Sequence, residues 1–176
     1  MPDLWKTIQI VLSLAFVMNA ASASSQGAER RPNVLLINVD DMGYNDLGCY
    51  GAKDSAIKTP NIDRLAGEGV RFTNYLSACS VCTPEEWASL QRLKGRMNPR
   101  TLPAMVRELD HHVGLVLRAI KELDIERETL VVFASDNGPW LPAGSAHPLS
   151  GGKYTTMEGG HRVPAFIRWP EATTHA

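Results

Sequence analysis

Two short aliphatic runs, each ending in acid or amide, constrain this chain more than any other feature. Val34-Leu35-Leu36-Ile37-Asn38-Val39 is nearly unbroken, rich in branched residues, and stops at Asp40-Asp41. Thr129-Leu130-Val131-Val132-Phe133-Ala134 has the same character and gives way to Asp136-Asn137-Gly138. Runs of this kind are strands covered on both faces, as in parallel sheets. Between them Met105, Val106, Leu109, Val113, Val116, Ile120 and Leu123 recur every three or four positions, which predicts an amphipathic helix over Pro103 to Leu123. A helix joining two buried strands predicts an α/β architecture of three layers around a mostly parallel central sheet. Both acidic ends then lie at the carboxyl edge, where open α/β sheets place their sites.

Other elements are shorter. Thr59-Pro60 reads as N-cap and first helical residue, followed by Ile62, Leu65 and Ala66 on one face and Gly69 as the stop. Val70 to Tyr75 alternates weakly, as an edge or short strand would, and Val163 to Trp169 predicts a further strand, started at a sheet edge by Pro164.

With 176 residues, 44% hydrophobic and 21% charged, the chain has the composition of one globular domain. Its formal charge of −1 provides no basic field for a nucleic acid, which is not expected as a partner. Lys6, the apolar run Ile8 to Met18 and Ala21-Ser22-Ala23 have the order of a secretory signal peptide. The run falls short of the roughly 20 residues that cross a bilayer, so no stable membrane span is expected. The expected organisation is a signal peptide over 1–23, a polar leader over 24–31 and one globular domain over 32–176. The expected destination is secreted or periplasmic.

If the two strands are neighbours, Asp40, Asp41, Asp136 and Asn137 form a cage of oxygen donors suited to a hard cation, Ca²⁺ or Mg²⁺. The same residues are also what ordinary turns after strands carry, so the residues alone leave both readings open. Cys79 and Cys82 have C-x-x-C spacing, but nothing thioredoxin-like surrounds them.

Longer motifs weigh on the choice. Arg31-Pro32-Asn33-Val34, Asp40-Asp41-Met42-Gly43-Tyr44, Leu47-Gly48-Cys49-Tyr50-Gly51 and Thr59-Pro60-Asn61-Ile62-Asp63-Arg64-Leu65-Ala66 resemble the opening of the formylglycine-dependent sulfatases. Glu108-Leu109-Asp110, Ser135-Asp136-Asn137-Gly138-Pro139, Pro148-Leu149-Ser150-Gly151-Gly152-Lys153 and Glu158-Gly159-Gly160-His161-Arg162-Val163-Pro164 are similar to later segments of that family, in order. The resemblance implies an alkaline-phosphatase-like α/β fold and hydrolysis of sulfate esters, on a sulfated small molecule or glycan. It implies Asp40, Asp41, Asp136 and Asn137 as ligands of one Ca²⁺, and Lys153 as a sulfate contact. It also implies Cys82 as precursor of the catalytic formylglycine, made by a formylglycine-generating enzyme. In that family one oxygen of the hydrated aldehyde attacks sulfur while the metal withdraws charge, and the second expels sulfate by reforming the aldehyde; the resemblance implies the same chemistry here.

This chain departs from the family pattern in two respects. The modification motif C-x-P-x-R reads Cys82-Thr83-Pro84-Glu85-Glu86, with a carboxylate where the arginine belongs. The central section after about residue 86 is also skipped, so the domain is expected to be internally shortened and the fold incomplete. His111 and His112, on the long helix, match neither of the family's histidine segments.

Overall fold

The structure is a computed structural model that describes residues 31–51, 57–80 and 101–173. Cys82 through Glu86 and the expected signal peptide lie outside the described residues.

Strand β1 (Asn33–Val39) opens the domain, followed by a 3₁₀ turn (Tyr44–Asp46) and helix α1 (Pro60–Gly67). Strand β2 (Val70–Phe72) comes next, then the long helix α2 (Leu102–Glu122) and strand β3 (Thr129–Ser135). A one-turn helix α3 (Glu158–His161), strand β4 (Ala165–Arg168) and a final turn α4 (Pro170–Thr173) complete the order. Among the described residues no helix is long and apolar enough to cross a membrane.

The four strands form one sheet in the order β1-β3-β4-β2. The parallel pair inferred from the two aliphatic runs is present, with Asn33 opposite Thr129 and Val39 opposite Ser135. The other two ladders, β3 with β4 and β4 with β2, are antiparallel, so the sheet is mixed where a mostly parallel one was expected. β4 is also an interior strand, not an edge. Pro164 stands just before it, where its missing N–H breaks no ladder bond and its carbonyl accepts the Ser135 N–H at 3.1 Å. β2 occupies the edge, as its short alternating sequence suggests.

Alternation along the strands sends Leu35, Ile37 and Val39 of β1, Val131 and Phe133 of β3, and Phe166 of β4 into one core. Ile62, Leu65 and Ala66 of α1 and Val106, Val113 and Leu117 of α2 close it. At its centre Phe133 and Phe166 stack with ring centroids 4.5 Å apart. Truncating either ring to alanine would cost about 3–5 kcal/mol. On the opposite face, where three layers predict cover, Val34 is 66% and Leu36 63% exposed.

The two helices are tied at one point. Asp110 of α2, buried, accepts the N–H groups of Asn61 and Ile62 at 2.9 Å each, satisfying donors that the first turn of α1 leaves without intrahelical partners. Gly114 permits the approach, since a Cβ there would come within 2.6 Å of the Asn61 side chain.

Candidate functional site

Because β1 and β3 are parallel neighbours in register, their carboxyl ends release the chain side by side. Asp40 and Asp41 follow β1, and Asp136 and Asn137 follow β3. One carboxylate oxygen from each of Asp40, Asp41 and Asp136 lies within 4.8 Å of the other two. Asn137 is fully buried, Asp41 buried, Asp136 half-buried and Asp40 exposed. The four residues read as cation ligands are thus together at one sheet edge.

Ser135, the last residue of β3, fastens the two strand ends. Its hydroxyl accepts the Met42 N–H at 3.0 Å and lies 3.1 Å from the Val39 carbonyl and 2.8 Å from that of Asn137, to one of which it donates. The Asp136 N–H reaches the Val39 carbonyl at 3.1 Å, and the Asp41 N–H reaches Asp136 Oδ1 at 3.3 Å. Asp41 takes a left-handed backbone, φ 60°, a conformation that costs free energy in a non-glycine residue and needs such ties to persist.

Lys153 arrives from a glycine-rich loop. Its N–H donates to the Pro139 carbonyl at 2.9 Å, while the Gly138 N–H reaches Gly160 and the Gly159 N–H reaches Ser150. These backbones touch because side chains are missing: a Cβ on Gly138 would lie 1.8 Å from the Gly159 carbonyl oxygen, and one on Gly159 2.3 Å from that of Gly151. The Lys153 ammonium, with its side chain 1% exposed, donates to Asp41 Oδ1 and lies 3.8 Å from Asp40 Oδ1. Sequence reasoning assigned Lys153 to sulfate alone, whereas the structure also makes it the counter-ion of Asp41.

Burial pushes the Asp41 carboxyl up to about 6, opposed by the Lys153 hydrogen bond and reinforced by the neighbouring charge of Asp40. Burial, and then the Asp40 charge, also raises Asp136. Three carboxylates and one ammonium sum to the charge that one divalent cation balances, and all donors here are hard oxygens, so the residues fit Ca²⁺ or Mg²⁺.

The remaining candidates are more dispersed. Cys82 lies outside the described residues; the described chain before it ends at Ser80, whose carbonyl accepts the Tyr154 N–H at 2.9 Å. Cys79 is exposed. Burial pushes the Cys49 thiol up to about 12, with the nearby Asp63 charge adding to the effect, which leaves it unreactive. His111 and His112 lie on α2, as expected, and both are exposed. Two residues that sequence reasoning passed over, Ser135 and the buried Asp46, hold the site's loops. A serine at a strand end or an aspartate in a short turn gives no sequence signal that distinguishes it from its neighbours.

Known proteins share this arrangement of elements. Residues 32–102 and 98–176 match the profile of the Sulfatase family. Steryl-sulfatase of Mus musculus is 48% identical over 90 residues, which are 51% of this chain and 14% of that protein. Arylsulfatase A of Homo sapiens is 49% identical over 78 residues, 44% of this chain and 15% of that protein. The matches with these curated relatives thus span about one-seventh of their length. Among solved structures, Ps i-CgsB superposes with a TM-score of 0.70 at 20% identity, over 82% of this chain and 67% of that one. The PsFucS1 sulfatase from Pseudoalteromonas sp. gives 0.64 at 18% identity, over 94% and 66%. At such identities the superpositions speak to the fold, which is that of an incomplete sulfatase, and the matched profile spans nearly all of the chain after its first 31 residues. The chain belongs to the sulfatase family.

Proposed function

We propose that this chain is a sulfatase-like protein whose Asp40, Asp41, Asp136 and Asn137 hold one divalent cation, Ca²⁺ in preference to Mg²⁺, beside a site for a sulfate ester. The observation that carries this reading is the convergence of three carboxylate oxygens within 4.8 Å at adjoining strand ends. The cation would supply Lewis-acid stabilisation of charge on the ester oxygens.

This chain's own residues would do the rest. Asp41 holds the Lys153 ammonium at the cage, from which it can meet a sulfate oxygen. Ser135 keeps the two ligand pairs at fixed separation. Cys82 would provide the nucleophilic oxygen only if converted to formylglycine. That assignment is supported by Ser80, two residues earlier, whose carbonyl is hydrogen-bonded to the residue after Lys153. A sulfated glycan suits the reading, because one fold relative, Ps i-CgsB, is known in complex with k-i-k-neocarrahexaose. The signal-peptide grammar of residues 1–23 supports export, and so a secreted or periplasmic site of action.

A second reading, a family member that holds the cation without turning over esters, is favoured by Glu86 at the motif's arginine position. The deciding assay compares the purified chain with Cys82→Ala on an aryl sulfate, with and without Ca²⁺, after co-expression with a formylglycine-generating enzyme. Multiple turnovers that require both Cys82 and Ca²⁺ establish the hydrolase. Rates at background alongside measurable Ca²⁺ binding establish the second reading, which is the expected result.

A further inference from the structure

We propose that Asp46 is a positioning residue, clamping the loop after β1 to the loop after β3 and thereby setting the separation of Asp40 and Asp41 from Asp136 and Asn137. This inference rests on the reading of those four residues as cation ligands.

Asp46 is 2% exposed. Its carboxylate accepts the Gly43 N–H at 3.0 Å through Oδ2, and the Ser145 N–H at 3.1 Å through Oδ1 and 3.3 Å through Oδ2. A second strap runs beside it, from the Asn45 N–H to the Ser145 carbonyl at 3.0 Å. Gly43 is two residues past Asp41. Ser145 belongs to the segment that begins at Asp136 and includes Pro139, which accepts the Lys153 N–H. One buried carboxylate therefore ties the segment that follows Asp40–Asp41 to the segment that follows Asp136–Asn137, and the latter in turn holds the lysine loop through Pro139.

The surroundings are shaped around that carboxylate. A Cβ on Gly43 or on Gly144 would lie 2.7 Å from Asp46 Oδ2, and the same two Cβ atoms would lie 2.7 and 2.8 Å from side-chain carbons of Pro139. Burying a carboxylate is costly unless its oxygens are satisfied, and here backbone donors from both loops satisfy it. An asparagine would set an NH₂ group against one of those donors, so the position requires an acceptor on both of its atoms. Second-layer groups that orient ligands typically change metal affinity about 10- to 100-fold when removed.

The test measures Ca²⁺ binding by calorimetry and amide hydrogen exchange on the full chain, for wild type, Asp46→Asn and Asp46→Ala. Val113→Ala in α2, remote from the site, controls for lost stability. The Ca²⁺ Kd should rise about 10-fold or more in Asp46→Ala, less in Asp46→Asn, and stay unchanged in Val113→Ala. Exchange at Gly43 and Ser145 should accelerate in both Asp46 variants whether or not Ca²⁺ is present. Unchanged exchange at those two amides overturns the clamp by a route independent of the cation. Unchanged Kd in both variants, with wild type binding Ca²⁺, overturns the positioning role and leaves the cation reading standing. Absence of Ca²⁺ binding in wild type overturns the cation reading and this role with it.

Discussion

The Lys153 ammonium donates to the carboxylate of Asp41, 112 positions earlier in the chain, and both side chains are buried. This pair joins the turn after β1 to the glycine-rich loop and fixes the electrostatics of the cage. Removing one member of a buried pair leaves the other without its counter-charge, which typically costs 3–5 kcal/mol. Lys153→Met is expected to lower the melting temperature in the absence of Ca²⁺, and saturating Ca²⁺ should recover part of the loss by neutralising Asp41. Thermal denaturation with and without Ca²⁺ checks this; equal losses in the two conditions would contradict it.

Ser135→Ala removes the acceptor of the Met42 N–H and the hydroxyl beside the Val39 and Asn137 carbonyls. A buried donor left unsatisfied costs about 1–3 kcal/mol. Urea denaturation should show a loss in that range, and a change below about 0.5 kcal/mol would contradict the fastening role of the Ser135 hydroxyl.

The titration of Asp46 gives a dependence with a definite sign. Burial raises its carboxyl from 3.8 to about 6, against the opposing hydrogen bonds from Gly43 and Ser145. The folded state then holds a proton that the unfolded chain has released, so Asp46's contribution is largest below pH 3.8 and declines as pH rises through about 6. Measured without divalent cations, the stability of wild type relative to Asp46→Asn should fall across that window. A difference that is flat or rises with pH would refute the assignment.

Cys82 should remain a thiol when the chain is produced beside a formylglycine-generating enzyme, because Glu86 reverses the charge of the motif position. Peptide mass spectrometry reads this directly. An aldehyde or its hydrate in a substantial fraction of molecules would restore the hydrolase reading.

The parallel core pair was legible because long branched runs have few other uses, and α2 because its apolar residues keep one period for six turns. The acidic ends followed from those strands, since parallel neighbours must release their chains together. The antiparallel placement of β4 was not legible: Ala165 to Arg168 is only four residues long, and its apolar content fits a strand running in either direction beside β3. The same holds for Ser135 and Asp46, whose roles consist of hydrogen bonds to backbone far away in sequence. Lys153 stood out only through its motif, and its pairing with Asp41 depends on glycines that let two loops touch.

The central claim is that the ends of β1 and β3 together hold one divalent cation, and calorimetric titration of Ca²⁺ into the purified chain tests it most directly. One site with weak but measurable affinity is expected in wild type, and no cation-dependent heat in the Asp40→Ala plus Asp136→Ala double variant, with both proteins folded by circular dichroism. Absence of binding in wild type, or binding undiminished in the double variant, would contradict the account.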